Sequence, residues 1–319
     1  MTKIHILHEN SEWTAPLLDA LASQGLSHKD WHLGKNGIVD LSAEPPEGIY
    51  YNRMSASSHS RGHRYAPELT GAVLKWLESS DRKVLNGSRA LELETSKVVQ
   101  YSALRDAGIP VPRTIVTVGR EAIVRAWKLM DGPVITKHNR AGKGLGVHLF
   151  HSCEALQNYV FSDNFDFPVD GITLVQEYIQ APEPYIVRIE FIGRDFLYAV
   201  RVNTTEGFEL CPADACELDE PSCMFEDSET PTQSGKFEIL NNFEPPYLSE
   251  MKKVMRENDI HIAGFELILD ATGTAYVYDI NTNTNYNSTA EDRAGISAME
   301  NLAAYLGRIC EASENEKKS

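Results

Sequence analysis

The run Pro133-Val134-Ile135-Thr136-Lys137-His138-Asn139-Arg140-Ala141-Gly142-Lys143-Gly144-Leu145-Gly146-Val147 governs the reading of everything around it. Residues 133–137 are apolar and β-branched enough for a strand, and a second strand starts at Val147. Between them Gly142, Gly144 and Gly146 alternate with other residues. Glycine tolerates positive φ and leaves its N–H unshielded, so such a loop can fold over phosphate oxygens. Lys137, Arg140 and Lys143 would add positive charge. The loop is not a P-loop, because Gly144 rather than Ser or Thr follows Lys143, and no G-x-G-x-x-G is present. The competing reading is a plain hairpin turn with solvated lysines.

Outward from this loop the chain parses into three units. On the N-terminal side, residues 88–107 have helical spacing, Gly108 stops the helix, and Pro110 and Pro112 prevent its restart. A strand over 114–118 and a helix over 121–130 follow, and a helix over 154–159 lies beyond the loop. These elements make one compact unit over 85–168. Before it, strands over 3–8 and 48–52 alternate with helices over 15–25 and 67–78, the pattern of a small parallel α/β unit over 1–84. After it the pattern turns β-rich, with strands over 172–178, 186–192 and 196–202. Two more, over 264–269 and 275–280, flank Asp270-Ala271-Thr272-Gly273. Helices over 248–258 and 294–310 complete a third unit, 169–319, whose end from 311 should fray. Residues 204–246 are polar and carry Pro212, Pro221, Pro231, Pro245 and Pro246, so they read as one long loop. The fold class is α/β, with α+β character in the second and third units.

Composition narrows the functions. Hydrophobic residues are 42% and charged residues 24% of the 319, ordinary for a globular chain and wrong for a fibre or a disordered tail. Thirty Lys and Arg against 46 Asp and Glu leave a formal charge of −16, which makes nucleic acid and anionic lipid poor partners. The first residues lack an apolar core of signal-peptide length, and no window holds about 18 apolar residues. The expectation is a soluble, cytoplasmic protein. Cys211, Cys216 and Cys223 lack the close pair of a zinc site, so ordinary thiols are the simpler reading.

Three further clusters carry chemistry. Glu266 and Asp279 sit on strands expected to pair, with Asn281 two residues on. Two carboxylates and an amide oxygen suit Mg²⁺, which prefers hard oxygen ligands; the alternative is a solvated acidic strand face. The apolar strand ending Gln176-Glu177-Tyr178 can offer backbone groups to a base edge. Arg188 can neutralise phosphate oxygens through its forked donors. The stretch from Asn52 to Arg64 is dense in donors. Arg53, Ser55, His59, Arg61, His63 and Arg64 suit a loop that binds a carboxylate or phosphate. His59 and His63, four apart, fit a metal only on a helix, and Gly62 and the serines argue for a loop.

Taken in order, these stretches resemble the ATP-grasp superfamily, and within it the RimK-like α-L-glutamate ligases. The resemblance spans about residues 48–290. It rests on the loop after residues 48–55, the segment 86–114, Pro133–Val147, Leu174–Gln180, Arg188, Gly264-Phe265-Glu266 and Tyr278–Asn281. It implies an N-terminal pre-ATP-grasp α/β domain and two α+β subdomains that clasp ATP. By resemblance, Lys97, Lys137 and Lys143 contact the nucleotide phosphates, and Gly142, Gly144 and Gly146 form the closing loop. Gln176, Glu177 and Tyr178 are the adenine hinge; Ile186 stands where the relatives carry an acidic residue, so ribose recognition falls to Glu183 or elsewhere. Arg188 and Lys137 are catalytic, and Glu266, Asp279 and Asn281 hold Mg²⁺, with Mn²⁺ as its substitute. The implied reaction is ATP-dependent amide formation through an acylphosphate, adding a glutamate-like amino acid to a small molecule, peptide or protein. Small-molecule or peptide carboxylates and amines are therefore the expected partners, and homo-oligomers are common among such enzymes. One departure stands out: the last metal strand runs on as Thr282-Asn283-Thr284-Asn285-Tyr286-Asn287, without the Ser-Pro-Gly turn of the relatives. That alters the wall near the acceptor and puts the glutamate preference in question. Two other classes remain: a non-catalytic nucleotide sensor of the same fold, and a phosphotransferase that stops at phosphorylation.

Overall fold

The computed structural model describes residues 2–34, 37–142, 144, 146–205, 207 and 236–316. The described strands form three sheets. In the first, β1 (Ile4–His8) pairs in parallel with β2 (His28–His32) and β3 (Ile49–Asn52), and β3 with β4 (Lys83–Leu85). Every residue of β1 and β3 is buried, as central parallel strands covered on both faces require. Helices α1 (Ser11–Ser23) and α2 (Ala66–Ser79) supply the covering. β2 has no sequence signal, because His28–His32 is a largely exposed polar edge strand without apolar alternation.

The expected single helix over 88–107 is two helices, α3 (Ser88–Thr95) and α4 (Lys97–Asp106). Ser96 between them is extended (φ −144°, ψ 108°), and its side chain caps α4. The break puts Lys97 in the first turn of a helix.

The second sheet has the order β5-β8-β6-β7, built from β5 (Thr114–Val118), β6 (Val134–His138), β7 (His148–Phe150) and β8 (Ile172–Glu177). All of its pairings are antiparallel. Helices α5 (Arg120–Trp127) and α6 (Cys153–Val160) cover one face through Ile123, Leu156 and Val160. β8 belongs to this sheet, so the expected boundary at 168/169 cuts the sheet from its own strand.

The third sheet, β11-β10-β9-β12-β13, is antiparallel. Its strands are β9 (Tyr185–Ile192), β10 (Asp195–Asn203), β11 (Phe237–Leu240), β12 (Ile262–Leu269) and β13 (Ala275–Asn281). β11 falls inside the stretch expected to be all loop. One face packs Val187, Ile189 and Phe191 against α3, α4 and α7 (Leu248–Glu257). The other packs Ile186 and Ile192 against the first sheet and the C-terminal helices. Those helices are α8 (Ser288–Ala294) and α9 (Ala298–Glu316), where one helix over 294–310 and a frayed end were expected. Buried Leu302, Leu306 and Cys310 hold α9 down. Among the described residues, no helix is long and apolar enough to cross a membrane.

Candidate active site

A cleft of about 460 Å³ opens between the second and third sheets and the end of β3. Strand pairing builds its floor. Arg188, Glu266 and Asp279 are opposite one another on β9, β12 and β13, so three charged side chains form one row across the sheet. A β-bulge follows at once, between Glu266 and Leu267. Bulges re-aim side chains beside functional sites.

The row is tightly bonded. Arg188 donates from Nη1 to Glu266 Oε1 (3.1 Å) and from Nε to Glu190 Oε1 (2.9 Å). Lys97 donates from Nζ to Asp279 Oδ1 at 2.7 Å and to Ala141 O at 3.3 Å. Burial pushes the Glu266 carboxyl up; Arg188 opposes this, and the like charge of Asp279 adds to it. A cation between the two carboxylates would relieve both effects. Asn281 donates from Nδ2 to Glu266 Oε1 at 3.2 Å, which leaves its Oδ1 as a third oxygen donor. Glu266, Asp279 and Asn281 thus make a hard oxygen set that fits Mg²⁺. Among the described residues no group of three or more His, Cys, Asp or Glu is placed to hold a metal, and this set has two carboxylates and an amide.

Lys137, on β6, is buried between the rings of Tyr101 and Tyr278, 5.3 and 5.4 Å from their centroids, and donates to Tyr278 O at 3.2 Å. Burial first, and the like charge of Lys97 second, lower its ammonium pKa to about 7 against the pull of Asp279 and Glu266. Gly142 and Gly144 line the cleft, and Gly144 has a positive φ of 75°. Gly146 is used differently: at φ 72°, a Cβ there would meet the His138 ring at 2.6 Å, so this glycine permits packing. Lys143 and Leu145 lie outside the described residues. Arg140 is turned away from the cleft onto Glu68 of α2, at 2.7 and 3.3 Å.

Gln176, Glu177, Tyr178 and Glu183 line the cleft's other end. The Gln176 amide is committed to Tyr101 Oη (3.0 Å) and Thr114 Oγ1 (2.7 Å), so it stiffens the wall. Tyr178 N is likewise used, by Pro133 O at 3.0 Å.

The expected anion-binding loop is corrected. Residues Ala56–Arg61 form a short 3-10 helix that Gly62 ends. Ser55 lines the cleft; Arg53, His59, Arg61, His63 and Arg64 do not. Arg53 is fully buried and donates to Asn285 Oδ1 at 2.8 Å. Arg61 is paired with Glu9 and lies 4.4 Å from the Trp13 ring centroid. Arg64 is paired with Glu68. His59 Nδ1 bonds Ala56 O, and the His63 ring sits edge-on to His32. These cations hold the loop in shape. The groups that do face the cleft here are Trp13, Ser57, Asn283 and Asn285, none of them foreseen as site residues. The only sequence signal for the two asparagines was the altered run after Asn281. Glu94 ties the two walls together: its buried carboxylate accepts from Ala56 N (3.1 Å) and from Thr282 N (2.7 Å).

Comparison of the sequence with protein-family models and with curated proteins gives no match. Solved structures do match. A RimK-domain ATP-grasp protein from Sphaerobacter thermophilus is 18% identical, with a TM-score of 0.62 over 96% of this chain and 99% of that one. The ATP-grasp ligase PsnB with a minimal precursor is 20% identical, with a TM-score of 0.65 over 96% and 98%, and it was also solved with precursor, Mg and ADP. A RiPP-associated ATP-grasp ligase from Chryseobacterium gregarium, in complex with ADP and a leader and core peptide, is 14% identical, with a TM-score of 0.61 over 98% and 97%. At such identities the likeness speaks for architecture, and it covers nearly the whole of every chain compared. The protein has the ATP-grasp fold, preceded by an N-terminal α/β unit.

Proposed function

We propose that this chain is an ATP- and Mg²⁺-dependent ligase that joins a carboxylate to an amine. One observation carries the reading: Arg188, Glu266 and Asp279 stand in one cross-strand row, opposite two lysines and a glycine loop, in a single cleft. A sensor needs affinity for nucleotide but no buried arginine beside a pair of carboxylates. Glu266, Asp279 and Asn281 would hold Mg²⁺, which when bound supplies charge neutralisation to the phosphates. Lys97 and Lys137 bind phosphate oxygens, and the glycine loop excludes water. A substrate carboxylate oxygen attacks the γ-phosphorus, the bond to the β-phosphate oxygen breaks, and ADP leaves. Arg188 spreads the charge that develops on the transferring group. An amine then displaces phosphate from the acylphosphate and loses a proton, giving an amide and phosphate.

Ser55, Ser57, Asn283 and Asn285 line the acceptor end with uncharged hydrogen-bonding groups. Such a wall suits peptide or small-molecule substrates and gives no special support to glutamate. The peptides bound by PsnB and by the Chryseobacterium ligase make peptides the first class to try. The test is ADP release from Mg·ATP across amino acids and short peptides, singly and in pairs, with mass spectrometry of the products. Turnover that requires both a carboxylate and an amine, and a product lighter than their sum by one water, supports the ligase. ADP release without any amine would instead favour a phosphotransferase.

A further inference from the structure

Arg188 is the buried cation of the reading above, and the inference here rests on that reading. Its side chain is held on three sides. Nε donates to Glu190 Oε1 at 2.9 Å, and Nη2 donates to Thr284 Oγ1 at 2.7 Å. Thr284 Oγ1 in turn donates to Glu190 Oε2 at 2.8 Å, which closes a ring of three hydrogen bonds. All three residues are buried, Glu190 and Thr284 at 1% exposure each. Gly264 makes room for the ring: a Cβ there would lie 2.7 Å from Glu190 Oε2 and 3.0 Å from Arg188 Nη2. Nη1 remains outside the ring, and it bonds Glu266.

A buried carboxylate that answers an arginine this closely has a cost. Glu190 cancels part of the charge that Arg188 would offer a phosphoryl group, and desolvating such a pair is itself unfavourable. The geometry returns something specific. Glu266 is both a partner of Arg188 and a candidate metal ligand. An arginine held only by Glu266 would follow that carboxylate and compete with the metal. Glu190 and Thr284 grip the opposite edge, so Nη1 alone points toward Glu266. We infer that Glu190, with Thr284, is a positioning residue: it fixes the Arg188 guanidinium so that its Nη1 edge meets the γ-phosphoryl group while Glu266 stays available to the metal. Thr284 belongs to the same loop as Asn283 and Asn285, so the ring also ties the arginine to the acceptor wall.

The test needs no acceptor substrate. Calorimetry measures the affinities of Mg·AMPPNP and Mg·ADP, whose difference reads contacts to the third phosphate. Wild-type protein should bind Mg·AMPPNP more tightly, and Arg188→Ala should erase that preference. Glu190→Gln and Thr284→Val should each cut the preference by about tenfold, the scale of a hydrogen bond to a charged group. Both should leave Mg·ADP affinity within about twofold, and Glu190→Asp should recover part of the loss. A merely structural role would weaken both nucleotides alike, and that result overturns the inference. So does an unchanged preference in both variants, or a wild-type protein that binds the two equally. Wild-type protein that binds neither nucleotide would bring down the ligase reading itself, a distinct result.

Discussion

Lys137 shows how one residue can couple burial to ligand charge. Its ammonium pKa falls to about 7 through burial and the nearby Lys97, from an ordinary 10.5. Between those values the unfolded chain holds a proton that the folded chain has released. Stability therefore rises with pH across that window, and the burial penalty is present in full below about 7. A bound phosphate restores the charged form, so nucleotide binding at pH 8 should take up protons. Calorimetry in buffers of different ionisation enthalpy measures this. Lys137→Met should lose most of the uptake, and a wild type without uptake would contradict the burial argument. At the metal set, Asp279→Asn should weaken nucleotide binding only where Mg²⁺ is limiting. An identical Mg²⁺ titration in wild type and variant would remove Asp279 from the site. Lys137, Arg188, Glu266 and Asp279 stand out in the sequence because charged residues inside apolar strands are costly unless used, and the fold gathers them in one cleft. Glu190 was not, because period-2 alternation on β9 puts Arg188 and Glu190 on one face but says nothing about an ion pair there. Arg53, Arg61 and Arg64 were misread for a related reason: sequence displays a cation without the carboxylate or carbonyl that engages it.

Among elements, the glycine loop is anchored at its base. Asn139 donates from Nδ2 to Asp170 Oδ2 at 2.7 Å, and its Oδ1 accepts from Val98 N at 3.0 Å, at the start of α4. Arg140 is buried and bonds Glu68. Burial opposes ionisation of Glu68, but Arg140 and Arg64 hold its carboxyl down at about 2. That clamp fixes where the loop starts. Arg140→Ala should speed amide exchange across residues 139–147 several-fold while leaving the third sheet unchanged. Exchange confined to wild-type rates would show that the clamp is idle. Ser96→Ala removes the cap of α4 and should cost about 1 kcal/mol in chemical denaturation. It should also weaken nucleotide binding, since Lys97 follows directly; a stability loss with unaltered binding would separate the helix break from the site. Strands and helices with clear periodicity were legible. The break at Ser96 was not, because the apolar spacing runs on through it and only the cap geometry marks it. β2 and β11 escaped notice for want of apolar alternation, and α9 runs past its apolar stripe to Glu316, where Glu314 Oε1 accepts from Thr2 N.

At the scale of the molecule, the first and third of the expected units share part of their core. Ile4, Ile6 and Ile49 of the first sheet share one cluster with Ile186, Val202 and Ile262 of the third and with Leu302 and Leu306 of α9. The second sheet keeps a core around Ile123, Val134 and Leu156, and only Leu174 among its fully buried strand residues joins the cluster of the third sheet. A hydrophobic core that crosses a boundary makes the parts on either side unfold together, while a private core permits a separate opening. The N-terminal unit and the third sheet should therefore act as one body, and the second sheet as the part that moves when the cleft closes. Leu302→Ala, at a fully buried position, should cost about 2–5 kcal/mol. It should raise amide exchange in β1 and β3 as well as in β9 and β10. Leu156→Ala should raise exchange only across the second sheet and its two helices. Mg·AMPPNP should then slow exchange in the second sheet toward that of the third, because a nucleotide held from both sides joins the two bodies. If Leu302→Ala loosens the third sheet and leaves β1 and β3 at wild-type rates, the shared core does not couple them, and the boundary near residue 84 is energetic as well as topological.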